Sequence, residues 1–154
     1  MSSSVVSLND GRGPAATKDR ILDAAEALFM EHGFEATSLR AITAAAAVNL
    51  AAVNYHFGSK EELFQAVLTR RLDPMNQRRL ALLDRFERDA ASAPLSCERI
   101  IVALFVPALE LARDPERGGK DFLRLLGRAY ADPAPFIRQL LSEQYAQMIA
   151  RFKA

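Results

Sequence analysis

Apolar residues recur every three to four positions along almost the whole chain, and this helical spacing constrains the fold more than any other feature. Glycine and proline are scarce, at seven residues each among 154, and no stretch alternates β-branched and polar residues as a half-buried strand does. Half of the residues are hydrophobic, which is enough to bury a core. The sequence therefore predicts an all-α protein of about eight helices.

Breaks in this pattern divide the chain into three segments. The first segment is rich in Ser, Gly and other small residues, so we expect it to be a disordered N-terminal arm. Thr17 is a suitable N-cap and opens a helical domain, and Asp73-Pro74 marks the break before a second one. The last apolar stripe continues to Ala154, so we expect the second domain to be incomplete at its C-terminus. The predicted segments are residues 1–16, 17–72 and 73–154.

Composition argues against several classes of protein. Cys97 is the only cysteine, so no internal disulfide can form and we expect a cytoplasmic protein. No segment approaches the roughly 20 apolar residues of a membrane span. The sequence shows no paired carboxylates, no nucleophile beside a base and no phosphate-binding glycine loop, so we expect no enzyme activity and no cofactor. His32, His56 and Cys97 fall on different predicted helices, which argues against a metal site.

The charge of the chain is not that of a typical nucleic-acid binder. The formal net charge is only +1. Residues 1–70 hold six Lys or Arg against eight Asp or Glu, whereas residues 71–154 hold fourteen against eleven. Any affinity for DNA must therefore come from where the cations lie and not from their number.

Residues 37–60 carry the pattern of a helix-turn-helix, in which two short helices are joined by a tight turn. Thr37 can cap the first of these helices and Asn49 the second. In the second helix, Leu50 and Val53 are expected to face the core. Such a second helix enters the major groove of DNA, and its N-terminal residues face the edges of the bases.

The outward side of this second helix supplies the candidate base contacts. Small alanines let the helix approach the groove closely, and an asparagine amide can form a two-point contact with adenine. The candidate residues are Asn49, Ala51, Ala52, Asn54 and Tyr55.

Donors around this surface are expected to bind phosphates and so to fix the register of the protein on DNA. Lys60 carries the most weight, because the capping box Ser59-Lys60-Glu61-Glu62 starts a helix whose dipole and free amides also favour a phosphate. The candidate residues are Thr37, Ser38, Arg40, Thr43, Tyr55, His56 and Lys60.

Residues 17–64 resemble the DNA-binding domain of the TetR family of bacterial transcription regulators. The matching residues are Ile21 to Phe29, Gly33-Phe34, Thr37, Ile42, Val48 and, above all, the run Tyr55-His56-Phe57-Gly58-Ser59-Lys60-Glu61-Glu62-Leu63-Phe64. The resemblance implies a homeodomain-like, three-helix head of a repressor that acts in the cytoplasm at the nucleoid. It implies phosphate contacts at Thr37, Tyr55, His56 and Lys60. It also implies base-facing positions at Ala51 and Asn54.

Two residues depart from the usual pattern of the family. Many members have glycine in the turn where this chain has Ala47, so the turn either avoids a positive φ or tolerates strain. Many also carry an aromatic residue where Asn54 stands, which leaves the preferred bases open.

The C-terminal segment is similar to the branch of the TetR family that responds to long-chain fatty acids or their CoA thioesters. The similarity covers Pro107, Gly118-Gly119, residues 122–128 and Gln144-Tyr145. It implies a homodimer that leaves a palindromic operator when a small apolar effector binds. The candidate pocket residues are Leu104, Phe105, Ala108, Phe122, Leu126, Tyr130, Phe136 and Leu140. The candidate dimer residues are Leu141, Tyr145, Met148 and Phe152.

The same apolar stripes also fit a helical small-molecule carrier or sensor that does not bind DNA. Such a protein would agree with the excess of acidic residues in positions 1–70, but it would leave the run from Tyr55 to Phe64 unexplained. The sequence alone leaves both hypotheses open, although the motif favours the regulator.

Overall fold

The computed structural model describes residues 13–91 and 93–153, with the exception of the side chains of Arg117 and Lys153. These residues form seven α-helices and one 3-10 helix at Pro115–Arg117, and no strand occurs among them. The prediction of an all-α protein is confirmed. The helices are α1 (Pro14–Ala36), α2 (Leu39–Ala46), α3 (Leu50–Phe57), α4 (Lys60–Asp89), α5 (Cys97–Ala112), α6 (Gly119–Ala131) and α7 (Pro135–Lys153).

The first helix begins earlier than the sequence predicts. α1 starts at Pro14, with Gly13 as its N-cap, and Thr17 lies inside its first turn. Proline is suited to the start of a helix because its missing N–H would have no partner there. The prediction of a disordered arm is therefore wrong for residues 14–16, and its first twelve residues lie outside the described part of the chain.

A head is formed by α1, α2 and α3, which pack against one another, and α1 and α3 also pack against α4. Its core contains Phe29, Phe34 and Phe64, whose ring centres lie 5.0 to 6.1 Å apart. Aromatic pairs at such distances add about 0.5–1.5 kcal/mol to the gain from burial. Gly33 interrupts α1 just before Phe34 with a φ of 81°, a conformation that glycine adopts at little cost.

α4 continues without interruption from the head into the rest of the chain. The predicted break at Asp73-Pro74 is wrong, because Pro74 lies inside this 30-residue helix. Proline in a helix interior costs about 3 kcal/mol. Leu72 and Met75 on either side of it are buried, and the burial of each such side chain contributes about 1.5–3 kcal/mol. Packing therefore outweighs the local preference, and the predicted domain boundary falls within a helix.

The remaining helices form a body on the second half of the chain. α5 and α7 pack against α4, and α6 packs against α1, α5 and α7. Phe122 and Ile137 are fully buried in this body, and they belong to the same continuous core as the phenylalanines of the head. Among the described residues, no helix is both long enough and apolar enough to cross a lipid bilayer.

Candidate nucleic-acid interface

Both helices of the helix-turn-helix, α2 and α3, begin at a side-chain cap. Ser38 caps α2 by accepting a hydrogen bond from the Ala41 N–H, and Asn49 caps α3 by accepting one from the Ala52 N–H at 2.9 Å. Between the two helices, Ala47 adopts the left-handed conformation, with φ 52° and ψ 50°. The turn therefore tolerates a positive φ, which is strained for a residue with a Cβ atom.

Most of the predicted base-facing residues lie on the exposed side of α3. Tyr55 is 82% exposed, and Asn49, Ala51 and Asn54 are exposed as well. Ala52 is only half-exposed, because it packs against the core of the head. We call the four exposed residues, Asn49, Ala51, Asn54 and Tyr55, the α3 strip.

The inward side of α3 differs from the prediction at its first residue. Val53 is fully buried as expected, and Phe57 is buried one turn later. Leu50, which was expected to face the core, is 50% exposed, so that prediction is wrong. Side chains on a helix lean toward its N-terminus, so the first residue of α3 projects past the end of the helix.

Two of the predicted phosphate donors are turned inward. Thr37 is 2% exposed, and its hydroxyl donates to the Gly33 carbonyl at 2.7 Å, so it closes α1 and does not cap α2. Thr43 is 9% exposed, and its hydroxyl donates to the Arg40 carbonyl at 2.9 Å. The fold itself uses both hydroxyls, which removes these two side chains from the candidate phosphate contacts. Ser38 and Arg40 are exposed.

A tight bend between α3 and α4 places Lys60 at the first position of α4. Gly58 has a φ of 80°, and a side chain at this position would collide with the Glu62 carboxylate. The Glu62 N–H donates to the Ser59 hydroxyl at 3.1 Å, and that hydroxyl donates to the Glu62 carboxylate at 3.1 Å. The Lys60 ammonium lies 4.3 Å from the centre of the Phe34 ring. The predicted N-cap at Ser59 is confirmed.

Tyr55 and His56 form an aromatic pair at the C-terminal end of α3. Their ring centres lie 5.0 Å apart with the ring planes at 80°, and His56 is half-exposed. Lys18 of α1 is a further cation in this region, because its ammonium lies 5.9 Å from the ring centre of Phe57, the last residue of α3. Sequence reasoning missed Lys18 because it belongs to no motif and lies far from α3 in the chain.

A buried ion-pair cluster joins α1 to α4. Glu26 is 3% exposed, and its carboxylate accepts hydrogen bonds from Arg71 Nε at 2.5 Å and from Arg71 NH2 at 3.1 Å. Arg70 lies 3.3 Å from the same carboxylate and 2.6 Å from that of Asp23. Sequence reasoning missed this cluster because Glu26 and Arg71 are 45 positions apart. The cluster fixes α4 against α1.

Three of the predicted pocket residues, Leu104, Phe105 and Tyr130, line an open cleft of about 440 Å³. The cleft lies between α4, α5, α6 and α7, and we call it the body cleft. The other predicted pocket residues do not line the body cleft, and Phe136 and Leu140 line a separate, smaller pocket beside Glu61 and Glu62. Their role in ligand binding stays a prediction. Phe122, Leu126 and Leu140 are buried, and Ala108 and Phe136 are half-buried. Helical periodicity identifies inward-facing residues but does not show where packing leaves space.

The predicted dimer residues do not form an exposed face. Leu141, Tyr145 and Met148 are 5–6% exposed and line the body cleft, and Phe152 is half-buried. Because a surface that contacts a second copy must be accessible in the single chain, these low exposures do not support a dimer face at Leu141, Tyr145 and Met148, and the role of Phe152 stays a prediction. Exposed apolar side chains lie instead one turn apart on α5, at Ile101, Phe105 and Leu109.

Two family models match the chain, one over the head and one over the body. The model described as bacterial regulatory proteins of the tetR family matches residues 21–67, which include α2, α3 and the turn between them. The model described as the C-terminal domain of tetracyclin repressor-like proteins matches residues 102–154. The chain belongs to the TetR family. The TetR N-terminal match contains the whole α3 strip and Lys60.

Curated relatives of this TetR chain carry the names of transcriptional repressors. ComR of Escherichia coli K12 is 36% identical over 92 residues, which cover 60% of this chain and 44% of ComR. AcnR of Corynebacterium glutamicum is 36% identical over 62 residues, which cover 40% of this chain and 33% of AcnR. KstR2 of Mycolicibacterium smegmatis is 31% identical over 97 residues, which cover 63% of this chain and 43% of KstR2. The chain spans less than half the length of these relatives.

A solved structure described as a putative transcriptional regulator from Pseudomonas aeruginosa PAO1 has a similar fold. The match covers 90% of this chain and 63% of the other, with a TM-score of 0.60 and 22% sequence identity. The likeness shows that the helical fold described above also occurs in that solved structure.

Proposed function

We propose that this chain acts as a DNA-binding transcription repressor, which binds a palindromic operator as a homodimer and leaves it when a small apolar effector binds. The α3 strip carries the proposal, because it exposes amide and small side chains on a short helix while Val53 anchors the other side in the core. The major groove of DNA, about 12 Å wide, admits such a helix. The family and the repressor names of the relatives support the same function.

Phosphate contacts are proposed around the α3 strip. Lys60 is the central one, because the first-turn amides and the dipole of α4 also favour a phosphate. The negative charges of Glu61 and Glu62 in the same turn oppose phosphate binding. The Glu62 carboxylate is held at the N-cap, where it accepts a hydrogen bond from the Ser59 hydroxyl. The proposed phosphate-binding side chains are Ser38, Arg40, Tyr55, His56, Lys60 and, in addition, Lys18.

Two substitutions separate base reading from phosphate binding. Asn54→Ala is expected to relax the base preference at one operator position and to cost about 1–3 kcal/mol on the preferred sequence. Lys60→Ala is expected to weaken binding to all sequences equally and to reduce the salt dependence by about one phosphate contact. Gel shifts over operator variants at several salt concentrations measure both effects.

Lys120→Ala is the matched control, because Lys120 is an exposed lysine of α6 outside the head. It is expected to leave operator binding unchanged. Equal and uniform losses for Asn54→Ala and Lys60→Ala over all sequences would remove Asn54 from the base-reading role.

The homodimer is proposed to place two α3 strips in successive major grooves, about 34 Å apart on one side of the DNA. The exposed apolar row on α5, Ile101, Phe105 and Leu109, offers surface that a second copy can cover. Analytical ultracentrifugation of the full chain is expected to show a dimer at operator-binding concentrations. A monomer bound to a half-site with full affinity would contradict this part of the proposal.

The effector is proposed to be a long-chain fatty acid or its CoA thioester, bound in the body cleft. Apolar side chains of Leu104, Leu141 and Met148 line this cleft. α4 carries residues of both sites, since it begins at Lys60 and also contributes Arg79 to the cleft. We therefore keep a DNA-binding region, residues 17–72, and a ligand-binding region, residues 73–154, with α4 shared. A typical allosteric coupling of about 1–3 kcal/mol would change operator affinity roughly 5- to 150-fold.

The alternative is a helical carrier or sensor that binds an apolar ligand without binding DNA. The eight acidic against six basic residues in positions 1–70 favour it. Selection of operators from random DNA, with and without long-chain acyl compounds, distinguishes the two functions. Enrichment of an approximate palindrome, lost when the acyl compound is added, supports the repressor. A failure to enrich any sequence, together with ligand binding, supports the carrier.

A further inference from the structure

Arg79, in the second half of α4, is a buried cation. It is 8% exposed, and its guanidinium group stays charged at any pH at which the protein is folded. Its Nε donates to the Leu104 carbonyl at 2.8 Å, and its NH1 donates to the Asn76 Oδ1 at 3.0 Å. Both acceptors are neutral, so these hydrogen bonds orient the group without balancing its charge.

No carboxylate of the described residues forms an ion pair with Arg79. Within the part of the chain that the structure describes, the arginines that pair with carboxylates are Arg70, Arg71, Arg78, Arg85, Arg124 and Arg151. An unpaired buried charge is costly, because the low dielectric of the interior replaces water around it. Arg79 is therefore a site at which an anion from outside the described chain would be stabilised.

The free side of Arg79 faces the body cleft. Its NH2 nitrogen makes no hydrogen bond with the described residues, and no fully buried side-chain nitrogen or oxygen among them lacks a partner. This nitrogen is therefore not fully buried. Arg79 lines the body cleft, and its guanidinium carbon lies 5.8 Å from the ring centre of Tyr145, which lines the same cleft. The fork of the guanidinium group suits a carboxylate, which can accept two parallel hydrogen bonds.

The rest of the body cleft combines positive charge with apolar surface. Its ionisable lining consists of Arg79, Arg138 and the phenols of Tyr130 and Tyr145, and no Asp or Glu lines it. Partial desolvation and a hydrogen bond with the Tyr145 phenol raise the pKa of Tyr130, so its hydroxyl is protonated at neutral pH as that of an ordinary tyrosine is. A volume of about 440 Å³ lies within the range of small-molecule sites.

We infer that Arg79 binds the carboxylate of an amphipathic acid whose hydrocarbon chain lies along the apolar lining of the body cleft. The inference rests on the proposed function and makes it more specific, because it identifies the effector as the free acid. The CoA thioester of the same acid presents no carboxylate to Arg79 and would bind less tightly. A segment of a second copy is the other source of a carboxylate, and the experiment below separates it from the free acid.

A ligand series on the unaltered full chain tests the inference without any substitution. Binding of decanoate, 1-decanol and methyl decanoate is measured by isothermal titration calorimetry at pH 7.5 in the absence of DNA. Because a hydrogen bond to a charged group contributes more than one to a neutral group, decanoate is expected to bind about ten- to a hundredfold more tightly than the two neutral compounds. Equal affinities, or no binding of decanoate at millimolar concentration, would overturn the inference.

Substitutions then assign the preference to Arg79. Arg79→Gln is expected to lower the decanoate affinity to that of 1-decanol while leaving the 1-decanol affinity unchanged, and Arg79→Lys is expected to keep part of the preference. Arg78→Gln is the matched control, because Arg78 is a neighbouring, half-exposed arginine that pairs with Glu110. It is expected to keep the full preference. A preference that survives in Arg79→Gln would overturn the assignment, and if this variant does not fold, Arg79→Lys and the ligand series decide.

Failure of the acid site and failure of the repressor function give different experimental results. If decanoate binds through Arg79 but no operator is found, the acid site stands and the repressor function is wrong. If the operator is found but 1-decanol and decanoate release it equally, the repressor function stands and the inference is wrong. A carboxylate supplied by a second copy predicts that dimer formation, and not decanoate binding, is lost in Arg79→Gln, which would also overturn the inference.

Discussion

Replacing Glu26 with glutamine would remove the carboxylate that two arginine side chains of α4 share. The side chain of Glu26 is 4% exposed, whereas those of Arg71 and Arg70 are 15% and 34% exposed. Glutamine keeps the size and shape of the side chain but loses the charge, and it turns an amide donor toward a guanidinium donor. We therefore expect Glu26→Gln to lower the free energy of unfolding.

The expected loss can be estimated from the exposure of the partners. Breaking a buried ion pair costs about 3–5 kcal/mol. Arg70 keeps Asp23 as a partner and is partly hydrated, so we place the loss at about 2–3 kcal/mol. For a protein of this size, this corresponds to a decrease in Tm of about 4–12 °C. Native proteins are stable by about 5–15 kcal/mol, so the variant should remain folded at room temperature.

Urea unfolding followed by circular dichroism measures this effect. Asp23→Asn is the matched control, since it removes the 63%-exposed partner of the same cluster and should cost at most about 1 kcal/mol. The reasoning is refuted if Glu26→Gln loses no more stability than Asp23→Asn. It is also refuted if the loss disappears in moderate salt, because a buried pair is screened much less than an exposed one.

Two further substitutions test local features of the fold. Ala47→Gly is expected to raise the free energy of unfolding by about 0.5–1 kcal/mol, because relief of the left-handed strain exceeds the entropy cost of glycine, and a lower urea midpoint would contradict this. The hydrogen bond from Arg151 lowers the pKa of Glu87. The pair therefore stabilises the fold fully at a pH above the usual pKa of a glutamate, and this stabilisation is lost as the pH falls through the lowered pKa. The difference in stability between the native chain and Arg151→Gln should therefore shrink in acid, and a difference independent of pH would argue against the pair.

Local signals in the sequence predict the caps at Asn49 and Ser59, whereas the cap of α2 is Ser38 and not the predicted Thr37. Asn49 and Ser59 bond to backbone groups three residues away, so the geometry they need is encoded within one helical turn. Val53 is likewise buried as its helical spacing predicts. The sequence therefore predicts which side of α3 is anchored and which is exposed, with Leu50 at the helix end as the exception.

Features that depend on distant packing could not be predicted in this way. Pro74 reads as a break, because the sequence does not show the burial of Leu72 and Met75 that holds α4 together. Threonine is usually exposed, so the sequence predicts a surface donor at Thr37. In the structure the Thr37 side chain is buried, and its hydroxyl donates to the Gly33 carbonyl at the end of α1. The sequence likewise does not show that Arg79 is buried beside the cleft, because its neighbours there come from α5 and α7, which are distant in the chain.

The central claim is that the α3 strip is the surface that meets DNA. Backbone amide shifts, recorded by NMR while the chain is titrated with its selected operator duplex, test this claim most directly. The account predicts that the largest changes occur between Asn49 and Tyr55 and at Lys60, with smaller changes at Lys18. Changes concentrated in α5 to α7, with α3 unaffected, would contradict it.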